Sequence, residues 1–282
     1  MCEFCHKHGE GKKWYLQAKN YSDDLLHDLK RRRFVENLGP NLRALMKEDE
    51  KFEQIQKMPG FVRAVLTPHI SNRRRKIHFG QVVPIEDIES IFGFANHIIR
   101  LACACRKVQF GSDKERYCYG VSLSPRGGIY RKRIEEIAPH YLKGPQTSDT
   151  EVLTKEQALQ YFRQYEKDGL CHTVWTFITP FIGGICNCDR TDCKAMQANL
   201  QHGVQVMFRA EYAARVNPEL CSGCRQCMRV CQFGAIGYSA ATKKTSIDLR
   251  RCYGCGICRS SCVKNAITLY ERSSLPVTAN LW

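Results

Sequence analysis

Two stretches near the end of the chain, CSGCRQCMRVC (residues 221–231) and CYGCGICRSSC (residues 252–262), share one cysteine spacing. In each stretch, two residues separate the first three cysteines, and the fourth follows after three more. Gly223, Gly254 and Gly256 allow these loops to turn tightly, since glycine adopts backbone angles that other residues avoid. Such a duplicated run of closely spaced cysteines indicates a duplicated metal-binding unit rather than a set of disulfides.

The repeat resembles the cysteine run of bacterial two-cluster ferredoxins, in which the fourth cysteine of each motif binds the cluster held by the other motif. The resemblance implies a βαββαβ-like domain that carries single electrons between redox partners. The cysteines of the first [4Fe–4S] cluster would be Cys221, Cys224, Cys227 and Cys262. Those of the second cluster would be Cys252, Cys255, Cys258 and Cys231.

A pair of zinc sites is the alternative interpretation, because eight cysteines can hold two zinc ions. Zinc sites use pairs of C-x2-C rather than triplets followed by a fourth cysteine, so the spacing favours iron–sulfur clusters. The proline that usually follows the fourth cysteine is absent, with Gln232 and Val263 in its place. We expect this change to alter cluster potential or solvent access without affecting ligation.

The charge of the chain is strongly positive, at +15 for 282 residues. A [4Fe–4S]²⁺ core held by four thiolates carries roughly −2, so two clusters would lower the balance to roughly +11 and four to roughly +7. The remaining charge favours an acidic partner. The basic run from Arg73 to Lys76 is either a solvated loop or a docking patch.

The apolar pattern predicts no transmembrane segment, although peripheral membrane association is compatible with the positive charge. We find no secretory signal, and so many cysteines in a reducing compartment indicate metal binding. The sequence therefore predicts a cytoplasmic protein. It contains neither G-x-G-x-x-G nor G-x4-G-K-[ST], so we predict no dinucleotide or nucleoside triphosphate site.

Nine further cysteines lie upstream of the repeat. Most fall in three groups, which are the N-terminal C-x2-C, the CACR element with a cysteine after it, and CNCDRTDC. If these groups meet in space, they would supply ligands for one or two further [4Fe–4S] clusters or a zinc ion. The candidate ligands are Cys2, Cys5, Cys103, Cys105, Cys118, Cys186, Cys188 and Cys193. Cys171 is left over and is predicted to be a small buried hydrophobic residue. With His6 and His8 nearby, Cys2 and Cys5 would alternatively bind zinc or nothing.

The central segment carries a second resemblance. LACACR, LTKEQALQYFRQYEKDGLCHTVW and ICNC, followed by the two-cluster domain, are similar to a group of multi-cluster iron–sulfur proteins of anaerobes. The resemblance implies a shared architecture rather than a particular reaction. Asp189 stands where some relatives carry another cysteine. Arg106 is predicted either to hydrogen-bond a sulfide and raise the cluster potential, or to lie at the surface.

These patterns predict an α+β chain with a helical N-terminal and central region and a C-terminal ferredoxin domain. The predicted parts are an N-terminal helical region at 1–84, a central cysteine-rich domain at 85–210, the ferredoxin domain at 211–272 and a loose tail at 273–282. Gly39-Pro40 and Pro59-Gly60 are predicted to end two successive helices.

Four local predictions concern the upstream cysteines. An apolar stripe between residues 88 and 102 predicts one helix that delivers Cys103 and Cys105 at its C-terminal end. The segment around Cys118 reads as a loop. Thr154 and Gln157 predict a capping box at the start of a helix. Gly183-Gly184 predict a tight turn that brings the next two cysteines together.

Three functions remain open on this evidence. The first is electron transfer through multiple [4Fe–4S] clusters, as a ferredoxin-like subunit of an anaerobic oxidoreductase complex with flavoprotein or metalloenzyme partners. The alternative is an iron–sulfur enzyme with a substrate-reducing cluster in the central domain. The third is a nucleic-acid protein with structural clusters, which the positive charge suggests. The sequence contains no recognised nucleic-acid module, so we expect no nucleic-acid partner.

Overall fold

The computed structural model of the chain describes residues 13–111, 115–141, 150–279 and 281. The predicted ligands Cys2 and Cys5 lie outside the described residues. Helices and strands are mixed along the chain, so the predicted α+β class is confirmed. Within the described ranges, no helix is long and apolar enough to cross a bilayer.

The N-terminal region consists of three short 3-10 turns and two helices. The turns are Trp14–Leu16, Ala18–Tyr21 and Asp23–His27, and the helices are α1, Leu29–Gln56, and α2, Gly60–Ile77. The predicted break at Gly39-Pro40 is wrong, because α1 continues through both residues. Tertiary contacts between α1 and later helices override the low helix propensity of these two residues. The predicted break at Pro59-Gly60 is confirmed.

A seven-stranded sheet lies at the centre of the molecule, in the order β4-β2-β3-β6-β5-β1-β7. All neighbouring strands are antiparallel except β1 and β7. The strands are β1, Gly80–Val82; β2, His97–Leu101; β3, Cys118–Ser122; β4, Glu151–Leu153; β5, Cys171–Thr176; β6, Ile182–Cys188; and β7, Met207–Phe208. The helices between them are α3, Ile85–Phe94; α4, Ala104–Phe110; α5, Gly128–Tyr141; α6, Lys155–Lys167; and α7, Lys194–Gln201.

Three of the four local predictions concern these helices and strands, and two of the three are wrong while one is confirmed. The predicted single helix ends at Phe94, and β2 and α4 follow it. The β-branched pair Ile98 and Ile99 fits a pleated sheet better than a helix. Cys118 begins a strand rather than lying in a loop. The capping box of α6 is present, with both of its hydrogen bonds formed.

The larger core contains many aromatic residues and lies between the sheet and helices α3 and α6. Phe92 packs edge-on against Phe162, and Tyr119 packs against the same ring. Trp14 and Tyr15, from the first turn, are fully buried in this core. The start of the described chain is therefore packed into the central domain.

The C-terminal domain has the βαββαβ order that the resemblance implies. Strand β8 pairs with β11, and β9 pairs with β10, both antiparallel. The elements are β8, Tyr212–Val216; α8, Gln226–Val230; β9, Ile236–Ser239; β10, Lys244–Ile247; α9, Ile257–Ser260; and β11, Ile267–Glu271. Its core is made mainly of alanines, cysteines and a few isoleucines. The expectation of a loose tail is wrong, since Leu275 and Thr278 are buried against this domain.

Candidate metal centres

Two cavities in the ferredoxin domain are each lined by four cysteines. The two cavities are similar in size, which matches the duplicated sequence. The first site is lined by Cys221, Cys224, Cys227 and Cys262. The second site is lined by Cys252, Cys255, Cys258 and Cys231. In both sites the fourth cysteine comes from the other motif, and four sulfur donors around one cavity fit a [4Fe–4S] cluster.

The two crossing cysteines are held in the same way. The amide of Ala235 donates to the Cys231 sulfur at 3.3 Å, and the amide of Ala266 donates to the Cys262 sulfur at 3.3 Å. Each donor lies four residues after its acceptor, so the two halves of the domain use equivalent hydrogen bonds. Amide hydrogen bonds to a ligating sulfur stabilise its negative charge and help to set the cluster potential.

The turn between the first and second cysteines of each motif leaves no room for a side chain. Gly223 and Gly254 have φ of +70° and +71°. A Cβ at either position would lie 2.1 Å from a carbonyl oxygen, that of Lys243 for Gly223 and that of Tyr212 for Gly254. The left-handed backbone and the close carbonyl therefore both require glycine, as the sequence suggested.

Replacing Gly254 by alanine tests this requirement. We expect Gly254→Ala to lower the free energy of unfolding by more than about 3 kcal/mol, since a backbone clash adds to the strain of a positive φ. Gly203→Ala is the matched control, because Gly203 has φ of +66° and open space around it. That control isolates the φ strain alone, which costs roughly 1 kcal/mol. Denaturant unfolding of both variants gives the comparison, and equal losses would contradict the role of the carbonyl contact.

The second site lies against the central domain. Tyr253, within its loop, stacks on Phe233 with ring centroids 4.0 Å apart, and its hydroxyl accepts a hydrogen bond from Asn199. Gln232 stands where the usual proline is missing. Its side chain donates to the carbonyl of Gly169 at 2.7 Å and accepts from the amide of Arg190 at 3.0 Å. The replacement of proline therefore provides a polar link between the two domains.

Sheet register gathers upstream cysteines on one face. Cys118 on β3 lies opposite Cys186 on β6, and Cys171 on β5 lies opposite Cys188 on β6. Residues two apart on a strand point to the same side, so these four cysteines share a face of the sheet. The predicted tight turn at Gly183-Gly184 is wrong, because both glycines lie within β6. An extended strand is sufficient to place Cys186 and Cys188 side by side.

Cysteines from two helices complete what we call the central site. Cys103 is the N-cap of α4, and its thiol hydrogen-bonds with that of Cys118, whose sulfur is 3.9 Å from that of Cys186. Cys193 is the N-cap of α7, and its thiol hydrogen-bonds with that of Cys188. The members of the central site are Cys103, Cys105, Cys118, Cys186, Cys188 and Cys193.

The thiols of the central site influence one another strongly. A hydrogen bond with Cys118, together with burial, raises the pKa of Cys103. The hydrogen bond from Cys188 lowers the pKa of Cys193, and the amide of Met196 and the charge of Arg106 act in the same direction. Metal binding here would therefore release protons, because ligating thiols must be deprotonated. Within the described ranges, no three His, Cys, Asp or Glu side chains form a group that could hold a single metal ion.

Arg106 lies inside the central site, so the alternative of a surface arginine is wrong. It is 3% exposed and donates to the Cys103 sulfur at 3.8 Å. The same guanidinium donates to Asp192 at 2.6 Å and to Asp189 at 3.4 Å. Asp189 thus helps to orient the arginine. A cation at this position would favour an anionic cluster over free thiols.

Cys171 is the cysteine that the sequence analysis missed. It is fully buried, as predicted, but its thiol lies within hydrogen-bonding distance of Cys255 in the second site. Burial raises the pKa of Cys171, and the hydrogen bond that it donates lowers the pKa of Cys255. Cys171 packs in the same cluster as Cys188 and Cys193. It therefore lies between the second site and the central site. No local sequence pattern signals this position, because it depends on the strand register that pairs Cys171 with Cys188.

Comparison with known proteins identifies the C-terminal part of the chain. Residues 220–267 match the 4Fe-4S dicluster domain family. The match spans both cysteine motifs, so the chain carries a C-terminal ferredoxin-like iron–sulfur domain that supports electron transfer. No curated protein matches the chain.

Proposed function

We propose that the chain transfers single electrons through a series of [4Fe–4S] clusters, two in the ferredoxin domain and one or more at the central site. It would act as a subunit of an oxidoreductase complex in anaerobic metabolism, with a flavoprotein or metalloenzyme as its redox partner. A bound [4Fe–4S] cluster gains and loses one electron without making or breaking a covalent bond. The residues of the chain hold such clusters, set their potentials and exclude water.

The contact between the second site and the central site carries this proposal. Cys255 of the second site packs against the buried cluster that contains Cys171, and Cys171 lies opposite Cys188 of the central site in the sheet. Tyr253 and Gln232 fix the same loop to the central domain. Redox centres held in adjacent, fixed positions can exchange electrons directly, because no domain movement is needed to bring them together.

Arg106 supports a cluster at the central site. Six cysteines with one buried cation form a donor set suited to an anionic iron–sulfur core. The thiols also come from both strands and helix N-termini, so several ligand combinations are available. Zinc is the other occupant that the cysteines allow, although no three of the described His, Cys, Asp or Glu side chains form a single-ion site, and metal analysis distinguishes the two.

Anaerobic reconstitution with iron and sulfide tests the proposal. We expect more than about eight irons per chain, since two [4Fe–4S] clusters account for eight. The double substitution Cys118→Ser with Cys186→Ser should lower the count to about eight while leaving the ferredoxin clusters intact. Substitution of Cys221 and Cys252 is the matched control, and it should instead remove iron from the ferredoxin domain. Zinc at the central site, or a count unaffected by the first pair of substitutions, would contradict the central cluster.

A further inference from the structure

The two loops of the duplicated motif have opposite environments. In the second loop, Tyr253, Gly256 and Ile257 are buried. The equivalent residues of the first loop are Ser222, Arg225 and Gln226, and all three are exposed. The sequences of the two loops reflect this difference, since CYGCGIC is mainly apolar between its cysteines and CSGCRQC is mainly polar.

The first site reaches the surface at Cys224. It is the only exposed cysteine among the fifteen that the structure describes, whereas Cys255, its equivalent, is partly buried against Cys171. Val263, which replaces the usual proline of the second motif, is 81% exposed beside Cys262, and Leu220 is 53% exposed beside Cys221. Electron exchange with an external protein is therefore easiest at the first site.

The surface around the first site is basic. The segments that line it or pack against it, 216–231, 242–247 and 261–267, contain one acidic residue, Glu219. Among the described residues, no ion pair joins an acidic side chain to any of the basic residues of these segments. Those basic residues are Arg225, Arg229, Lys243, Lys244 and Lys264.

Some of these basic residues also have local roles. Arg225 lies over the ring of Tyr238 at 3.8 Å, and Lys244 donates to the carbonyl of Cys221. Arg229 and Lys264 are exposed, and within the described part of the chain neither side chain forms a hydrogen bond or an ion pair. Their substitution should therefore leave the cysteine loops intact. Five cations against one anion leave this face positive even after a cluster adds roughly −2.

We propose that this face is the docking surface for an acidic redox protein, which exchanges one electron with the cluster of the first site. Leu220 and Val263 would supply apolar contacts at its centre, and the basic residues would steer the partner and set its orientation. One electron passes between the partner and the chain, and no covalent bond forms or breaks. The inference rests on the proposed function and adds to it the charge of the partner and the site of entry.

Charge reversal on this face tests the inference. The probe is an acidic flavodoxin in its fully reduced form, mixed anaerobically with the oxidised, cluster-loaded protein in a stopped-flow instrument. For the natural sequence, the second-order rate should fall steeply as ionic strength rises. Arg229→Glu with Lys264→Glu should lower the rate about 10-fold or more at low ionic strength.

The matched control is Arg73→Glu with Lys76→Glu, which changes the net charge equally on exposed residues of α2. It should leave the rate within about twofold, because α2 is not among the segments that line the first site or pack against it. A rate that is independent of salt, or an equal loss in both variants, would overturn the inference. Iron content and cluster absorbance are measured on the same samples. If the unmodified protein contains no iron and shows no cluster absorbance, the proposed function is refuted instead.

Discussion

Replacement of Cys262 by alanine is expected to remove the cluster of the first site, although Cys262 belongs to the second cysteine motif. The sulfur of Cys262 lines the cavity that holds Cys221, Cys224 and Cys227. The variant should lose about four irons per chain, which is the content of one [4Fe–4S] cluster. Iron analysis and the cluster signal in EPR measure the loss.

Double substitutions reveal which cluster has been lost. If Cys262 and Cys224 bind the same cluster, removing both should cost no more iron than removing either one. Removal of Cys262 with Cys255 should cost both clusters, or about eight irons. If removal of Cys262 with Cys224 costs both clusters and removal of Cys262 with Cys255 costs only one, each motif holds its own cluster and the crossed arrangement is wrong.

Replacement of Arg106 by alanine is expected to destabilise the central domain by about 3 kcal/mol, because it leaves two carboxylates without their buried cation. Arg106 has 4% of its side chain exposed, whereas Asp189 and Asp192 have about a quarter exposed. Because water can partly solvate the two carboxylates, we expect a loss of stability at the low end of the range for breaking a buried ion pair. Chemical unfolding, followed by the fluorescence of the buried Trp14, measures the change.

Two further variants define what Arg106 contributes. Arg163→Ala removes an arginine that is 63% exposed and paired with Glu89, and it should cost less than about 1 kcal/mol. Arg106→Lys keeps the positive charge but loses the planar guanidinium, which donates to both carboxylates at once. It should therefore recover only part of the stability. A loss as small for Arg106→Ala as for Arg163→Ala would show that the buried pairing contributes little.

The ferredoxin domain was predictable from sequence because ligand spacing is a direct geometric requirement. Four sulfurs must reach one cluster, so the cysteine spacing constrains the loops, and the tight turns at Gly223 and Gly254 follow from it. The α6 helix was equally predictable, since Thr154 and Gln157 satisfy its end with local hydrogen bonds. The start of α6 and each run of three cysteines involve residues that are close in sequence, whereas the fourth cysteine of each site comes from the other motif.

The errors arose where distant contacts decide the structure. An apolar run that ends in Ile98 and Ile99 is compatible with a helix or a buried strand, and only its pairing with β3 and β4 makes it a strand. Pro40 lies within a helix whose position depends on packing against other helices. The role of Cys171 follows from strand register and from a domain contact, neither of which appears as a local pattern.

The two cores described above differ in what they bury, and this difference links iron supply to folding. The central sheet buries large aromatic rings such as Trp14, Phe92 and Phe162, which stabilise it whether or not a metal is bound. The ferredoxin domain buries mainly alanine and cysteine, so most of its stability must come from its clusters. In a cell short of iron, or one exposed to air, we therefore expect chains with a folded central sheet and an unfolded C-terminal domain. Proteases would cleave that domain first.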